Sequence, residues 1–584
     1  MNAAHIAEHR AAYELPTPEA HSLLSGLDLL ADAPDGIAKV RGLILTLAVQ
    51  GRLVPQSGQD EPSNVLLNLI EARREALVKR GSLKRGKPLP LIERGEVPFE
   101  IPKSWSWVRL GQVTDFGSTD KAEDISDETW VLDLEDIEKN TSRLICRASF
   151  SERRSLSAKN LFRAGDVLYG KLRPYLNKVI VADQDGVCTT EILPFRCFGP
   201  YEPDYFRIAL QSPYFIGYVI GKSYGMKMPR LGTEDGRRAL IPLPPLAEQA
   251  RIVARVEELM QLCDALEAQG RLQNEQHARL VATLFDALAA SESAHALAEN
   301  WQRIAAHFDL LLDRPDAVDA LEQTILQLAV RGLLVPQNEA DEPASELLAH
   351  IRSEAERLDS SGEIKRKKSK ADIGSDGQPF ELPPSWEWVA FDDVVRPDKP
   401  IAYGVLVPGP DLVDGVPFVR LADISLTNPP AKPAKHISPD VDAQFERTRL
   451  EGGEILLGVV GSIGKLGVAP MSWRGANIAR AICRVVPTPL VDKQFVIYLL
   501  QSDFMQKRFK GDTRTLAQPT LNVGLIRSCP VPLPPLAEQR RIVARIDQLN
   551  SLCADLRERL QQSRTTQSHL ADALVCAATQ SPAC

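Results

Sequence analysis

Pro242-Leu-Pro-Pro-Leu-Ala-Glu-Gln249, running on into Arg251-Ile-Val-Ala-Arg-Val256, returns as Pro532-Leu-Pro-Pro-Leu-Ala-Glu-Gln539 and Arg541-Ile-Val-Ala-Arg-Ile546. Two more pairs lie upstream. Leu47-Ala-Val-Gln-Gly-Arg-Leu-Val-Pro-Gln56 matches Leu328-Ala-Val-Arg-Gly-Leu-Leu-Val-Pro-Gln337, and Phe99-Glu-Ile-Pro-Lys-Ser-Trp-Ser-Trp-Val108 matches Phe380-Glu-Leu-Pro-Pro-Ser-Trp-Glu-Trp-Val389. A period this long is far beyond the roughly 20–50 residues of solenoid units, so a multi-element unit is duplicated. Such a chain is expected to form a pseudo-twofold molecule suited to a two-part ligand.

Trp105 to Trp386 is an offset of 281 and Pro242 to Pro532 one of 290, so the second copy gains a net nine residues between these motifs. Identity nearly vanishes in those middles, about 109–240 and 390–530. The flanks read as one part used twice and the middles as two different parts, which fits two variable reading heads on a shared frame.

After each Pro-Pro pair an apolar seam begins. Ile252, Val256, Leu259, Cys263 and Leu266 are spaced 4-3-4-3, as are Ile542, Ile546, Leu549, Cys553 and Leu556. That is the spacing of a coiled coil, with the prolines marking where each helix starts. Leu280, Leu284 and Leu288 extend the first helix beyond an expected interruption at Gly270. Two such helices pack most simply as a long antiparallel spacer of some forty residues, roughly 60 Å. A further helix pair is expected near 36–50 and 316–331, ending at Gly51 and Gly332, with Asp60-Glu-Pro62 and Asp341-Glu-Pro343 as caps for the next helices. A basic connector follows in each half: Lys79, Arg80, Lys84, Arg85 and Lys87, then Lys365, Arg366, Lys367, Lys368 and Lys370.

In the variable middles, Val131–Leu134, Asp166–Tyr169, Val179–Val181 and Glu454–Val460 read as strands bounded by turn residues, and Tyr205–Val219 and Phe495–Phe509 as helices packed on them. The fold class is α+β: two α+β recognition domains joined by a pair of long antiparallel coiled-coil helices. The expected divisions are an N-terminal helical frame at 1–97, a first recognition domain at 98–243, and a helical spacer with repeated frame at 244–379. A second recognition domain at 380–533 and a C-terminal coiled-coil helix at 534–584 complete the chain.

Several function classes lose support. Gly165-Asp-Val-Leu-Tyr-Gly170-Lys171 has phosphate-loop spacing, but Leu172 stands where a metal-binding hydroxyl is needed and Pro174 obstructs the following helix. Asn428-Pro-Pro-Ala431 lacks the aromatic that stacks on a flipped base, and no glycine-rich cofactor loop accompanies it. Eight of nine histidines lie in the helical frame, and only His436 falls in a variable segment, so no catalytic set assembles. The nine cysteines show no metal spacing and read as thiols in a reducing cytoplasm. No apolar run reaches transmembrane length, Met1–Arg10 does not have the pattern of a secretory leader, and no membrane partner is expected. A net charge of −8 argues against indiscriminate nucleic-acid binding but leaves room for a local positive face.

Such faces are visible near turns of the middles. Lys171, Arg173, Tyr175, Asn177 and Lys178 cluster in the first, with Lys222, Lys227 and Arg230 later. The second offers Ser462, Lys465, Arg474, Asn477, Arg480, Arg484 and Arg514. Arg and Asn read guanine and adenine edges bidentately, which makes these clusters candidates for base readout.

Taken together, the twice-used Pro-Leu-Pro-Pro-Leu-Ala-Glu-Gln, the following Arg-Ile-Val-Ala-Arg, Gly165-Asp-Val-Leu168, Gly453-Glu-Ile-Leu456, Ser462-Ile-Gly-Lys465 and Ala517-Gln-Pro-Thr-Leu-Asn522 resemble the specificity subunit of type I restriction-modification systems. The resemblance spans almost the whole chain. It implies that each middle is a target recognition domain and that the repeated helices form the spacer. It also implies that the frame docks two methyltransferase subunits and, through them, restriction subunits. This chain would bind double-stranded DNA without catalysing. It would hold no metal or cofactor, with S-adenosylmethionine, ATP and magnesium in the partner subunits. The first domain departs from the pattern, with Met228-Pro-Arg230 where the second has Gln518-Pro-Thr520. Two unlike readers on a rigid spacer should read a bipartite, asymmetric target with a fixed unread gap. The rivals are a self-contained adenine methyltransferase, against which Ala431 counts, and a scaffold with duplicated protein-binding modules and no DNA readout.

Overall fold

A computed structural model describes residues 30, 33–83, 88–122, 124–153, 159–225, 227–362, 378–511 and 520–579. The chain folds as two compact units, Met1–Gln273 with Ser563–Cys584, and Asn274–Gln562.

In the first unit, the frame helix Gly36–Val49 ends at Gly51, whose φ is +69°. A Cβ there would lie 2.5 Å from Pro102 Cγ, so both the left-handed turn and the close approach require glycine. The second unit repeats this after helix Pro315–Val330, at Gly332 (φ +72°) against Pro383 Cγ. The next helices, Ser63–Lys79 and Ala344–Ser360, start after Pro62 and Pro343 without a side-chain cap. Asp60 and Asp341 are therefore not the caps expected of them; they pair with Arg251 and Arg541 at 2.6 and 2.7 Å. Of the basic connectors, Lys79 and Arg80 are exposed, while Lys84, Arg85, Lys87 and Lys365–Lys370 lie outside the described residues.

A two-stranded clasp opens and closes each recognition domain. Ser106–Arg109 pairs antiparallel with Leu240–Leu243, placing Trp107 opposite Pro242. Glu387–Ala390 pairs with Pro530–Leu533, placing Trp388 opposite Pro532. Prolines are tolerated because each strand has a free edge.

Inside the clasps the middles are built alike. In the first, Val167–Gly170 is flanked by Val179–Val181 and Ile192–Phe195, while Trp130–Leu132 runs parallel to Gly186–Thr189. In the second, Ile455–Gly458 is flanked by Leu466–Val468 and Ile482–Val485, while Val416–Val419 runs parallel to Asn477–Ile478. The expectation of two different parts gives way to one fold carrying two sequences. Buried strands demand apolar volume and β-propensity rather than particular residues, so identity fades while topology persists. The expected single helices are pairs, Pro203–Gln211 with Pro213–Lys222 and Lys493–Gln501 with Asp503–Gly511. The break falls at Ser212 or Ser502, whose hydroxyl accepts from the amide of Phe215 or Met505.

Two long helices follow the clasps, Leu246–Ala289 and Leu536–Thr579, each of 44 residues and about 66 Å by helical rise. The first runs unbroken through Gly270, against the interruption expected there. Its seam residues Ile252, Val256 and Cys263 enter one core with Val40, Ile44 and Ala48 of the frame helix, while Arg41 pairs with Asp264 and Glu267. In the second unit Ile542, Ile546 and Cys553 share a core with Val318, Leu321 and Ile325, and Arg557 pairs with Asp319 and Glu322. The first turns of each seam thus lie against the short frame helix of their own unit. Leu259, Leu549 and Leu556 are partly buried, and Leu266 is 37% exposed.

Placing Asp at Ile252, Val256 and Leu259 together puts unpaired charge into this core. The expected result is loss of the first unit's cooperative thermal transition by circular dichroism, with no assembly onto partner subunits. A wild-type melt would contradict the packing.

Candidate nucleic-acid interface

The three motif pairs meet at one place in each unit. Glu248, in the first turn of its long helix, is fully buried. Its Oε2 accepts from Trp105 Nε1 at 2.9 Å and its Oε1 from Gln56 Nε2 at 2.5 Å. Ser104 Oγ in turn donates to Gln56 Oε1 at 3.0 Å. The second unit builds the same network: Trp386 Nε1 to Glu538 Oε2 at 3.0 Å, Gln337 Nε2 to Glu538 Oε1 at 2.6 Å, and Ser385 Oγ to Gln337 Oε1 at 2.9 Å. Burial pushes both carboxyls above the usual carboxylate range, opposed by the donated hydrogen bonds. The adjacent glutamine is a second strap. Gln249 accepts from the amide of Glu202 and donates to the carbonyl of Pro244, as Gln539 does with Asp492 and Pro534. Each recognition domain is thereby fastened to its own long helix by buried hydrogen bonds. Sequence reading marked these motifs as repeated without assigning them this role.

Each domain presents a tip at the far end of its central strand. In the first, Val167–Gly170 turns through 171–178, and Gly170 N donates to Lys178 O at 2.9 Å. Arg173 and Asn177 both adopt left-handed φ, +50° and +52°. Such strain persists only where neighbours fix it. Arg173 N donates to Pro229 O, while Asn177 is buried, with its carbonyl accepting from Ser142 Oγ. Lys178 Nζ donates to Leu134 O at 2.6 Å, and burial lowers its pKa. The segment around 224–231 closes on this turn through the Leu172–Arg230 bridge and a bond from Leu231 N to Lys171 O.

The second tip follows the same plan. Ile455–Gly458 turns through 459–465, Gly458 N donates to Lys465 O at 2.7 Å, and Lys465 Nζ donates to Leu421 O at 2.8 Å. Thr520 and Leu521 close on it through the Val460–Thr520 bridge and a bond from Leu521 N to Val459 O. Val459 N also donates to Ala481 O, which brings Arg480 beside the turn.

This geometry sorts the candidate readers. Tyr175, Lys227, Ser462 and Arg480 are exposed on the tips, and Lys171 and Arg173 are half-buried there. Asn177 and Asn477 are buried beneath the tips. Asn477 is wholly buried, donating to Asp442 Oδ1 and Phe445 O and accepting from Thr448 Oγ1, so a base edge finds no free amide. Lys178 and Lys465 are half-buried, and each ammonium donates to a backbone carbonyl across its turn. Arg230 is held by Glu191, with Nε–Oε2 at 3.1 Å. Arg514 lies outside the described residues. Among the described residues no His, Cys, Asp and Glu group could hold a metal, and no helix is long and apolar enough to cross a membrane.

A scaffold used twice, with differing side chains at each tip, defines a chain of two like domains, each set on its own long helix. The family model for the type I restriction modification DNA specificity domain matches residues 413–563. The chain is 33% identical over 563 residues to the type I restriction enzyme EcoAI specificity subunit of Escherichia coli, covering 93% of this chain and 94% of that one. It is 31% identical over 560 residues to the EcoEI specificity subunit of the same organism, with the same coverage. A solved chain from a type I restriction-modification system aligns over 83% of this chain and 99% of its own, at 22% identity and a TM-score of 0.48. The chain belongs to the specificity subunits of type I restriction-modification systems.

Glu538→Ala leaves the Trp386 indole buried without an acceptor, which should cost about 2–3 kcal/mol. Trp386→Phe combined with it in a double-mutant cycle by urea denaturation should show a coupling of at least about 1 kcal/mol. Additive effects would mean the bond contributes nothing.

Proposed function

We propose that this subunit reads a bipartite, asymmetric duplex target, one half-site per recognition domain. It docks two methyltransferase subunits and, through the complex, restriction subunits. The observation that carries the reading is the doubled tip, with one backbone scaffold presenting Lys171, Arg173 and Tyr175 in one domain and Ser462 and Arg480 in the other. Identical readers would suit a symmetric target; unlike readers suit two different half-sites. The two long helices pair antiparallel as the spacer, and their length sets the unread gap. The chain contributes binding, while adenine methylation with S-adenosylmethionine and ATP- and magnesium-dependent cleavage belong to its partners, in the cytoplasm.

The test is to express the chain with its methyltransferase subunit and map adenine methylation across the genome by single-molecule sequencing. One two-part motif with a fixed gap, absent without this chain, is the expected result. An assembled complex that adds no methylation would favour a scaffold without DNA readout.

Two variants sharpen it. Exchanging residues 390–530 for another recognition domain should change one half of the motif and leave the other intact. Deleting residues 268–274, an exposed stretch of the first long helix, removes about 10 Å of rise, close to three base pairs. Both half-sites should survive with a shorter gap. A change in both halves, in either experiment, would refute modularity.

A further inference from the structure

The second recognition domain contains a cavity of about 450 Å³ that the tip does not use. Five cations line it against three carboxylates. The carboxylates are largely engaged: Lys399 holds Glu451 and Arg396 holds Asp398, while Arg449 is turned to Asp442 and only grazes Glu446 at 4.0 Å. Arg447 and Arg474 are exposed, and their guanidinium groups have no ion-pair or hydrogen-bond partner among the described residues. Arg484, on strand Ile455–Gly458's neighbour Ile482–Val485, is only 5% exposed. It donates Nη1 to Arg449 O at 3.2 Å, but its buried Nε has no partner. A buried guanidinium donor without an acceptor is costly and uncommon, and here it belongs to a residue that lines the cavity.

We propose that this cavity takes a backbone phosphate of duplex DNA, with Arg484 at its wall and Arg447 and Arg474 closing over the phosphate oxygens. The inference rests on the DNA-reading role above. Planar guanidinium forks suit phosphate oxygens, and a phosphate contact fixes register without reading sequence. Placement agrees. Arg484 stands opposite Leu456, two residues before the strand ends at Gly458 and the tip begins. The cavity thus lies within a few residues of the tip, where a phosphate strand bordering the groove that the tip enters would pass. The first domain differs at the equivalent position. Where Leu456 faces Arg484, the corresponding Leu168 of the first domain faces Pro194. This reassigns Arg474 and Arg484 from base reading to anchoring and adds Arg447, which sequence reading passed over.

The experiment measures duplex affinity against salt concentration for the complex with its methyltransferase subunit, wild type beside Arg447→Gln/Arg474→Gln and Arg484→Met. Losing one phosphate contact should flatten the slope of log affinity against log salt by about one. The loss should be equal on target and unrelated duplexes, with the methylated motif unchanged. Arg447→Gln/Arg474→Gln alters only exposed side chains, so the question stays answerable if Arg484→Met does not fold. An unchanged slope in a complex whose wild type methylates a two-part motif overturns this inference and leaves the proposed function standing. A wild type that reads no motif removes that function itself. Thermal stabilisation by inorganic phosphate, lost in Arg447→Gln/Arg474→Gln while the DNA slope holds, would assign the cavity to a free anion and overturn the DNA assignment.

Discussion

Each unit is fastened around a carboxyl group shut away from its surface. Glu248 and Glu538 sit in the first turn of the long helices with almost no exposure, and an isolated charge there would be untenable. The indole of Trp105 or Trp386 and the amide of Gln56 or Gln337 supply the missing donors. Those donors arrive from two other stretches of chain, the turn after the frame helix and the entry to the clasp. The carboxylate therefore forces helix, frame and recognition domain into one arrangement. The glycine at 51 or 332 allows the chain to pass Pro102 or Pro383 closely enough to deliver its glutamine. The repeated motifs are the parts of one hydrogen-bonded fastening, and a change in any one strands the others.

The sequence displayed these parts but not their meeting. Motif repetition located the frame, and apolar spacing located the seams, because both leave local periodic traces. The partner of the seams was not legible: Ile252 and Ile542 carry the 4-3 spacing that a second long helix would want, and the short frame helices satisfy it equally well for the first turns. The kinship of the two middles was hidden for the opposite reason. Val167–Gly170 and Ile455–Gly458 share apolar character and topology, and nothing in that requirement preserves residue identity.

Burial of the candidate readers was the part the sequence concealed. Asn177 and Asn477 lie in polar, turn-rich stretches like true surface residues, yet both are inside, and Asn477 satisfies its neighbours rather than a ligand. Lys178 and Lys465 read as two unrelated basic residues. They are the same device, an ammonium donated to the carbonyl of Leu134 or Leu421, separated from their strand glycines by turns of slightly different length. A one-residue difference in turn length was enough to conceal the correspondence.

That device explains how a fixed fold can carry changeable specificity. The tips are held by bonds that consult no exposed side chain: glycine amide to lysine carbonyl, lysine ammonium to a leucine carbonyl, and a bridge to the incoming segment. Residues between these anchor points, such as Tyr175 or Ser462, bear little of the turn's stability. The fastening at Glu248 and Glu538 acts the same way one level up, since it fixes a whole domain on its helix through residues remote from the tip. Rigidity is thus assigned to backbone-directed and buried contacts rather than to the side chains that face outward at the tips.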